Sequence, residues 1–289
     1  MRGVLARLAG SALVAVGVLG LAEGALAALG HPPPGLFDGD PGYHWTLRPD
    51  LSLEAVPHPE RGTTFPLHTT ELGLLDAVPE QGPWVLATGC STTFGWGLPA
   101  DAAWPARLAG RAGVPVVNAG TPGYSTAQGL RQLDELLPLG PSVVVLGWLV
   151  RDAQRSARTD GAARPTPWLQ STRVFRSLTA LLAPPAQTSE IWDPSVGVAR
   201  VPAEAYRDNL LAAGRAVEAA GARPLVLAFP MQDEPSAHLE VLDELPWPVL
   251  RPKLPAGAWF DDDPIHLDAG GHALLASYLE PAVRDALSP

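Results

Sequence analysis

Apolar positions along this chain fall into two regimes. Between Leu8 and Ala22 there is no charged residue, Arg2 and Arg7 lie just ahead, and after Glu23 a second apolar stretch runs to Gly30. From Trp84 onward, short and nearly continuous apolar runs at residues 84–88, 114–118, 142–148 and 223–229 alternate with stretches of helical spacing. Such runs read as parallel strands covered on both faces, and their alternation with helices predicts an α/β domain. The clearest helix covers residues 203–220, where Tyr206, Leu210, Ala213 and Val217 share one face, Pro202 leads in and Gly221 stops it. Asp268 is placed to cap a last helix bearing Leu274, Leu275, Tyr278 and Leu279, which Pro281 is expected to kink or end early.

The N-terminal segment, residues 1–30, reads as a hydrophobic helix that serves as a signal peptide or a signal anchor. Ala25-Leu26-Ala27 has the small residues of a cleavage site, whereas Leu8–Leu29 is long enough to span a bilayer, for which about 20 residues suffice. Either way the following domain is exported. The anchor reading leaves Arg2 and Arg7 in the cytoplasm, tethers the chain to the membrane and puts the domain in the periplasm or outside the cell; cleavage secretes it. His31-Pro32-Pro33-Pro34-Gly35 cannot continue a helix and opens a weakly patterned extracytoplasmic lead-in over 31–82. The domain proper is 83–289. Within it the periodicity weakens at about 153–201, where two proline-rich breaks, Arg164-Pro165-Thr166-Pro167 and Ala183-Pro184-Pro185-Ala186, suggest an insertion beside the site.

Composition narrows the function classes. With 289 residues and 46% apolar content, one large domain with a real core is expected. A net charge of −10 and the absence of any basic run argue against a nucleic-acid partner. Cys90 is the only cysteine, so neither an internal disulfide nor a cysteine-based zinc site can be built from this chain alone.

The candidate chemistry lies at two distant points. Gly89-Cys90-Ser91 ends the first of the apolar strands and places a hydroxyl at its C-terminal edge. Serine is a weak nucleophile without a base, and the base needs a group that fixes its tautomer. Asp263-Pro264-Ile265-His266, just before the last helix, supplies both: Asp263 to hold one ring nitrogen, His266 to accept the Ser91 proton from the other.

These two segments, with Asn118-Ala119-Gly120-Thr121-Pro122-Gly123, resemble the SGNH/GDSL hydrolase superfamily over about residues 84–287. The resemblance implies a three-layer α/β/α sandwich on a five-stranded parallel sheet, flavodoxin-like, and a Ser–His–Asp triad of Ser91, His266 and Asp263 that hydrolyses or transfers acyl groups. It implies no metal and no organic cofactor. It also implies oxyanion donors from the backbone N–H of Ser91, the backbone N–H of Gly123 and an Asn side chain after the third strand. Here Arg151 stands in place of that Asn. It either donates a charged hydrogen bond to the oxyanion or turns away to a carboxylate such as Asp152. Cys90 takes the place of the usual Asp in the GDS signature and reads as a small buried side chain. Gly123 also fits the left-handed position of a turn, Trp96 and Trp104 fit either a pocket or the core, and His44, His68 and His272 read as surface or packing residues.

The function that follows is an exported serine acyl-ester hydrolase acting through an acyl-enzyme on O-acyl esters, such as acetyl groups of carbohydrates, or on short-chain acyl esters. Its partner is then a small-molecule or glycan ester. Two alternatives stand beside it: an O-acyltransferase for a cell-surface polysaccharide, and a catalytically degenerate glycan-binding domain, which would account for Arg151.

Overall fold

The computed structural model describes residues 2–30, 35–40, 42–58, 61–162, 172–182, 197–231, 235–261 and 263–288. In chain order the elements begin with α1 (Arg2–Ala28), β1 (Phe37–Asp40), β2 (His44–Leu47), β3 (Ser52–Pro57), β4 (Thr64–His68), β5 (Val85–Gly89) and α2 (Ser91–Phe94). They continue with α3 (Trp104–Ala112), β6 (Val116–Gly120), α4 (Thr126–Leu136), β7 (Val143–Gly147), α5 (Leu149–Ala153), β8 (Arg155–Ser156), α6 (Arg173–Leu182) and β9 (Val198–Ala199). The last are α7 (Ala203–Ala219), β10 (Arg223–Leu227), α8 (Ser236–Glu240), β11 (Val249–Leu250) and α9 (Ala269–Leu287).

The chain forms two compact units, Met1–Thr46 with Arg164–Gln187, and Leu47–Ala163 with Thr188–Pro289. In the first, α1 is the expected N-terminal helix, with Leu13, Val14, Val16, Val18, Leu19 and Leu21 exposed. Among the described residues no helix is long and apolar enough to cross a membrane. Glu23, the charge inside the apolar stretch, caps another helix: its carboxylate oxygens accept the backbone N–H groups of Arg173 at 2.7 Å and Val174 at 3.0 Å. Those N–H groups open α6 and have no acceptor in its own ladder, so a carboxylate is the natural partner, and the bonds lower the Glu23 carboxyl from its ordinary value. Of the expected insertion at 153–201, the stretches 163–171 and 183–196, with both proline-rich breaks, lie outside the described residues.

The second unit holds a five-stranded parallel sheet in the order β11-β10-β7-β5-β6. Its strands β5, β6 and β7 are buried at every position, which is why their sequences are apolar without alternation. Helix α3 packs with α9, and α4 packs with α7. The chain steps from β5 outward to β6 and then back across to β7. Right-handed crossovers therefore put these two helix pairs on opposite faces, giving the expected three-layer sandwich. The order reverses between β5 and β7, and the crevice for a ligand opens beyond the strand ends at that reversal.

Four expectations from the sequence meet different outcomes in the structure, two of them as read and two not. Helix α7 buries Tyr206, Leu210, Ala213 and Val217 as its spacing requires. Helix α9, however, passes through Pro281 to Leu287 instead of ending early. Buried Leu275, Leu279 and Val283 hold it on α3, and Arg111 of α3 donates to Glu280 at 2.8 Å and to Ser277 at 3.0 Å, so tertiary contacts outweigh the proline penalty. Leu274 and Tyr278 are 46% and 45% exposed and flank the buried stripe instead of forming it. His272 is a packing residue, as expected: its Nδ1 accepts the backbone N–H of Trp104, the first residue of α3, at 3.0 Å.

In the lead-in, β3 and β4 pair as an antiparallel hairpin with Val56, Phe65 and Leu67 buried. Residues 75 and 76 then bond to Asn118, Leu75 through its N–H and Asp76 through Oδ2, covering the open edge of β6.

Strands β5, β6 and β7 all end in glycine, with Gly89 level with Gly120 and with Gly147. A Cβ on Gly120 would lie 2.3 Å from the Phe94 backbone nitrogen. Helix α2 can therefore fold down over the strand ends only because Gly120 has no side chain. Gly120→Ala should cost about 2 kcal/mol in urea unfolding through backbone collision. Gly110→Ala, in α3 with nothing within 4 Å of the added carbon, should be neutral or add ~0.5–1 kcal/mol. Equal effects of the two substitutions would contradict the packing argument.

Burial pushes His272 down to about 3, so it stays neutral in the fold and keeps its lone pair for Trp104. An unfolded histidine takes up its proton near 6.5. The folded value lies below the unfolded one, so this stability is present above about pH 6.5 and is lost as pH falls toward 3. Thermal midpoints measured from pH 7 to pH 4 should fall less steeply in His272→Gln, whose amide oxygen accepts the same N–H without titrating; an unchanged slope would remove His272 from the acid response.

Candidate active site

Ser91 is the first residue of α2, directly after extended Cys90 at φ −99° and ψ −153°. Its N–H thus has no place in the i to i−4 ladder. The short helix is fastened to β6 by Asn118, whose Nδ2 donates to the carbonyls of Thr93 at 3.0 Å and Phe94 at 3.3 Å while its Oδ1 accepts the Gly120 N–H at 2.9 Å. These bonds satisfy carbonyls that a four-residue helix leaves unpaired and fix the Ser91 hydroxyl over the strand ends.

The loop before α9 brings the other two residues. His266 Nε2 lies 2.8 Å from Ser91 Oγ, and His266 Nδ1 lies 2.6 Å from Asp263 Oδ2. Asp263 Oδ1 accepts the backbone N–H groups of Ile265 at 2.8 Å and His266 at 3.0 Å, a local turn that sets the carboxylate against the ring. With the Nδ1 proton donated to Asp263, Nε2 carries the lone pair and accepts the Ser91 O–H. Burial alone would raise the Asp263 carboxyl, but the His266 bond and charge and the two backbone N–H groups hold it well below the usual carboxylate range. Burial lowers His266 below its ordinary value against the pull of Asp263, and the positive charges of Arg151 and Arg61 add to the lowering. The ring is a neutral base at rest.

Arg151, on α5 beyond the end of β7, reaches the same oxygen. Its Nη2 donates to Ser91 Oγ at 3.2 Å and its Nη1 to Gln154 Oε1 at 2.7 Å. Burial lowers the guanidinium from its ordinary value, with Cys90 and Asp263 opposing, yet an arginine stays charged at neutral pH. It does not turn to Asp152. That carboxylate accepts the N–H of Thr126 at 2.9 Å and the Thr126 hydroxyl, and so ties α5 to the start of α4. Gly123 sits at φ +87° in the turn closed by the Tyr124 N–H to the Thr121 carbonyl at 3.1 Å. Cys90 is buried, with its sulfur 3.2 Å from Thr92 Oγ1.

A cavity of about 220 Å³ opens over these groups, lined by His58, Ser91, Trp96, Pro122, Arg151, Asp263 and His266. Trp96 therefore faces the cavity, whereas Trp104 is fully buried in the core. Among the described residues no group of three or more His, Cys, Asp or Glu is placed to hold a metal ion. Two residues near the site escaped the sequence reading, both from the β3–β4 hairpin: His58, which lines the cavity, and Arg61, which lies behind Asp263. Arg61 Nη2 lies 3.3 Å from Asp263 Oδ2, and its guanidinium carbon lies 3.5 Å above the centre of the Phe260 ring. Neither sits in a motif; the one available hint was an isolated basic residue between Pro-rich and Thr-rich stretches.

Residues 87–274 match the GDSL-like lipase/acylhydrolase family. No curated protein matches the chain. Solved structures that resemble it include the psychrotrophic esterase EstA from Pseudoalteromonas sp., at 15% identity and TM-score 0.46, covering 71% of this chain and 99% of that one. A GDSL-like lipase from Bacteroides thetaiotaomicron VPI-5482 resembles it at 13% identity and TM-score 0.46, covering 73% and 92%. A catalytic mutant of Axe2, an acetylxylan esterase from Geobacillus stearothermophilus, does so at 13% identity and TM-score 0.46, covering 72% and 96%. The family match extends over more than half of the chain and runs from the strand before Ser91 through His266, and on that ground the chain belongs to the GDSL-like lipase/acylhydrolase family of ester-hydrolysing enzymes.

Proposed function

We propose that this enzyme hydrolyses short O-acyl esters, acetyl esters of carbohydrates among them, through an acyl-enzyme on Ser91. The observation that carries the reading is the continuous hydrogen-bonded chain from Ser91 Oγ through His266 to Asp263, at 2.8 and 2.6 Å. Ser91 Oγ attacks the ester carbonyl as its proton passes to His266 Nε2, and Asp263 balances the imidazolium that forms. The imidazolium then protonates the departing alcohol. A water deprotonated by His266 attacks the acyl-enzyme, and release of the acid restores Ser91.

Arg151 takes the third position of the oxyanion hole beside the backbone N–H groups of Ser91 and Gly123. A charged donor already 3.2 Å from the attacking oxygen stabilises the negative charge that develops on the carbonyl oxygen next to it. A degenerate site would have Arg151 turned away from Ser91, which this geometry does not favour. The cavity, about 220 Å³, is smaller than the roughly 300–1,000 Å³ typical of drug-sized ligands and suits a short acyl group. Arg2 and Arg7 in the first turns of α1, followed by exposed apolar side chains, support export, with α1 as a signal segment. Protease accessibility of the domain in intact cells or spheroplasts, but not with α1 deleted, is the matching readout.

Incubation of the full chain with a serine-directed fluorophosphonate should label Ser91, and Ser91→Ala should abolish labelling; a folded wild type that stays unlabelled removes the proposal. Acetyl and butyryl p-nitrophenyl esters should be cleaved at least about tenfold faster than the octanoyl ester if the cavity sets acyl length. Accumulation of a transferred acyl group on an added polysaccharide, at the expense of free acid, would make the enzyme a transferase instead.

Arg151→Ala should lower turnover by about 10²–10³, with Arg151→Asn recovering part of the loss; an Ala variant at wild-type turnover would exclude a donor role. His266 is held below its ordinary value and must be neutral to act, so activity should rise with pH along a limb centred below about 6.5.

A further inference from the structure

The β3–β4 hairpin lies outside the part of the chain that matches the family, yet it delivers a side chain to the far side of the candidate triad. Its register is fixed by pairing of Val56 with Phe65 and Pro57 with Thr64, and the His58 N–H to the Thr63 carbonyl at 2.8 Å extends it to the tip. Phe65 meets the edge of Trp96 with ring centroids 5.5 Å apart, and His58 lies against Trp96 at 6.3 Å, so the hairpin is seated on the segment that follows Ser91. Arg61 sits at that tip.

Two contacts of Arg61 converge on one loop. Its Nη2 meets Oδ2 of Asp263, the oxygen that also accepts His266 Nδ1, and both side chains are nearly closed to solvent, at 8% and 5% exposure. The flat guanidinium covers Phe260, whose carbonyl accepts the Asp263 N–H at 3.2 Å and whose N–H donates to the His266 carbonyl at 3.2 Å. Arginine therefore grips the loop at the carboxylate and at the ring beside it. A lysine offers the charge but not the planar face.

We propose that Arg61 is a positioning residue for the reaction, holding the Asp263 carboxylate and the loop that bears His266 in the geometry from which His266 takes the Ser91 proton. This rests on the serine-hydrolase reading. Arg61 acts through Asp263 and touches no reacting atom. Its second effect is electrostatic: a buried cation near the imidazole opposes the imidazolium. The ionisable groups around His266 are Asp263 on its own loop, Arg61 and His58 from the hairpin, Arg151 from α5, Ser91 from α2 and His272 from α9. Of the cations among them, Arg61 sits on the Asp263 carboxylate, on the far side of the ring from Arg151, which sits on Ser91 Oγ.

Fluorophosphonate labelling of Ser91, followed as a rate against pH on the full chain, needs no identified substrate and reads both effects. Arg61→Met should lower the plateau rate about tenfold or more, as misplacement of a catalytic group does, and should move the acid limb to higher pH because a positive charge near His266 is gone. Arg61→Lys should leave the limb at the wild-type position while lowering the plateau. A purely structural role would reduce the amount of active protein without moving the limb. An Arg61→Met limb that coincides with wild type overturns the proposal, whatever the rate. If Arg61→Met does not fold, Arg61→Lys decides: a wild-type plateau overturns it, and a lowered plateau with an unmoved limb upholds it. A folded wild type that does not label sinks the serine-hydrolase reading itself and this proposal with it, whereas labelling of wild type with unaffected Arg61 variants sinks only the latter.

Discussion

The hydrogen bond between His266 Nε2 and Ser91 Oγ, 2.8 Å long, joins residues 175 positions apart, and most of the second unit is arranged so that it can form. One partner hangs from the end of β5 and the other from the loop before α9. They meet because α9 packs on α3, and α3 follows the Ser91 turn in the chain. Asn118 holds α2 down on the strand ends, and the absence of a side chain at Gly120 lets it come that close. His272 then pins the start of α3 to the helix that follows His266. Each of these contacts carries ordinary packing or hydrogen-bond energy, but all bear on the separation of one oxygen and one nitrogen, where a shift of about 1 Å matters most.

Charge is distributed on both sides of that bond. One carboxylate, Asp263, faces a histidine and an arginine, and a second arginine faces the serine from the opposite side. Two buried cations near an imidazole disfavour its protonation, which Asp263 has to overcome when the imidazolium forms. The arrangement lowers His266 below its ordinary value, and in the proposed mechanism the same positive field favours negative charge on the attacking and carbonyl oxygens. Lowering the resting basicity of His266 is thus exchanged for stabilisation of an anion, and for acyl transfer the anion is the less stable partner in water.

How much of this was legible in the sequence follows from the range of each interaction. The buried strands β5, β6, β7 and β10 were legible because two-sided burial writes itself as an unbroken apolar run. Ser91, Asp263 and His266 were legible because each stands beside residues that also shape its turn, so the chemistry and the local conformation share a short motif. The two-residue strand β11 is too short for periodicity to register. Passage of α9 through Pro281, and the exposure of Leu274 and Tyr278, depend on α3, a partner far away in sequence. Arg61 was invisible for the same reason: its partner Asp263 is remote, and nothing about an arginine in a hairpin tip distinguishes a buried clamp from a solvated charge.

Position 151 shows how neighbouring substitutions can make sense together. A guanidinium in place of an amide brings a full charge into a buried site, and a buried cation seeks the nearest carboxylate. Asp152 is adjacent in sequence but is held by Thr126, and Asp263 already serves His266 and Arg61. Another place for a competing carboxylate is position 90, near the guanidinium and filled here by a cysteine. An aspartate there would pair with Arg151 and draw it off Ser91 Oγ. A thiol there leaves the guanidinium donating to the serine oxygen and to Gln154, so the two departures from the pattern that the resemblance implies, Cys90 and Arg151, are compatible with each other.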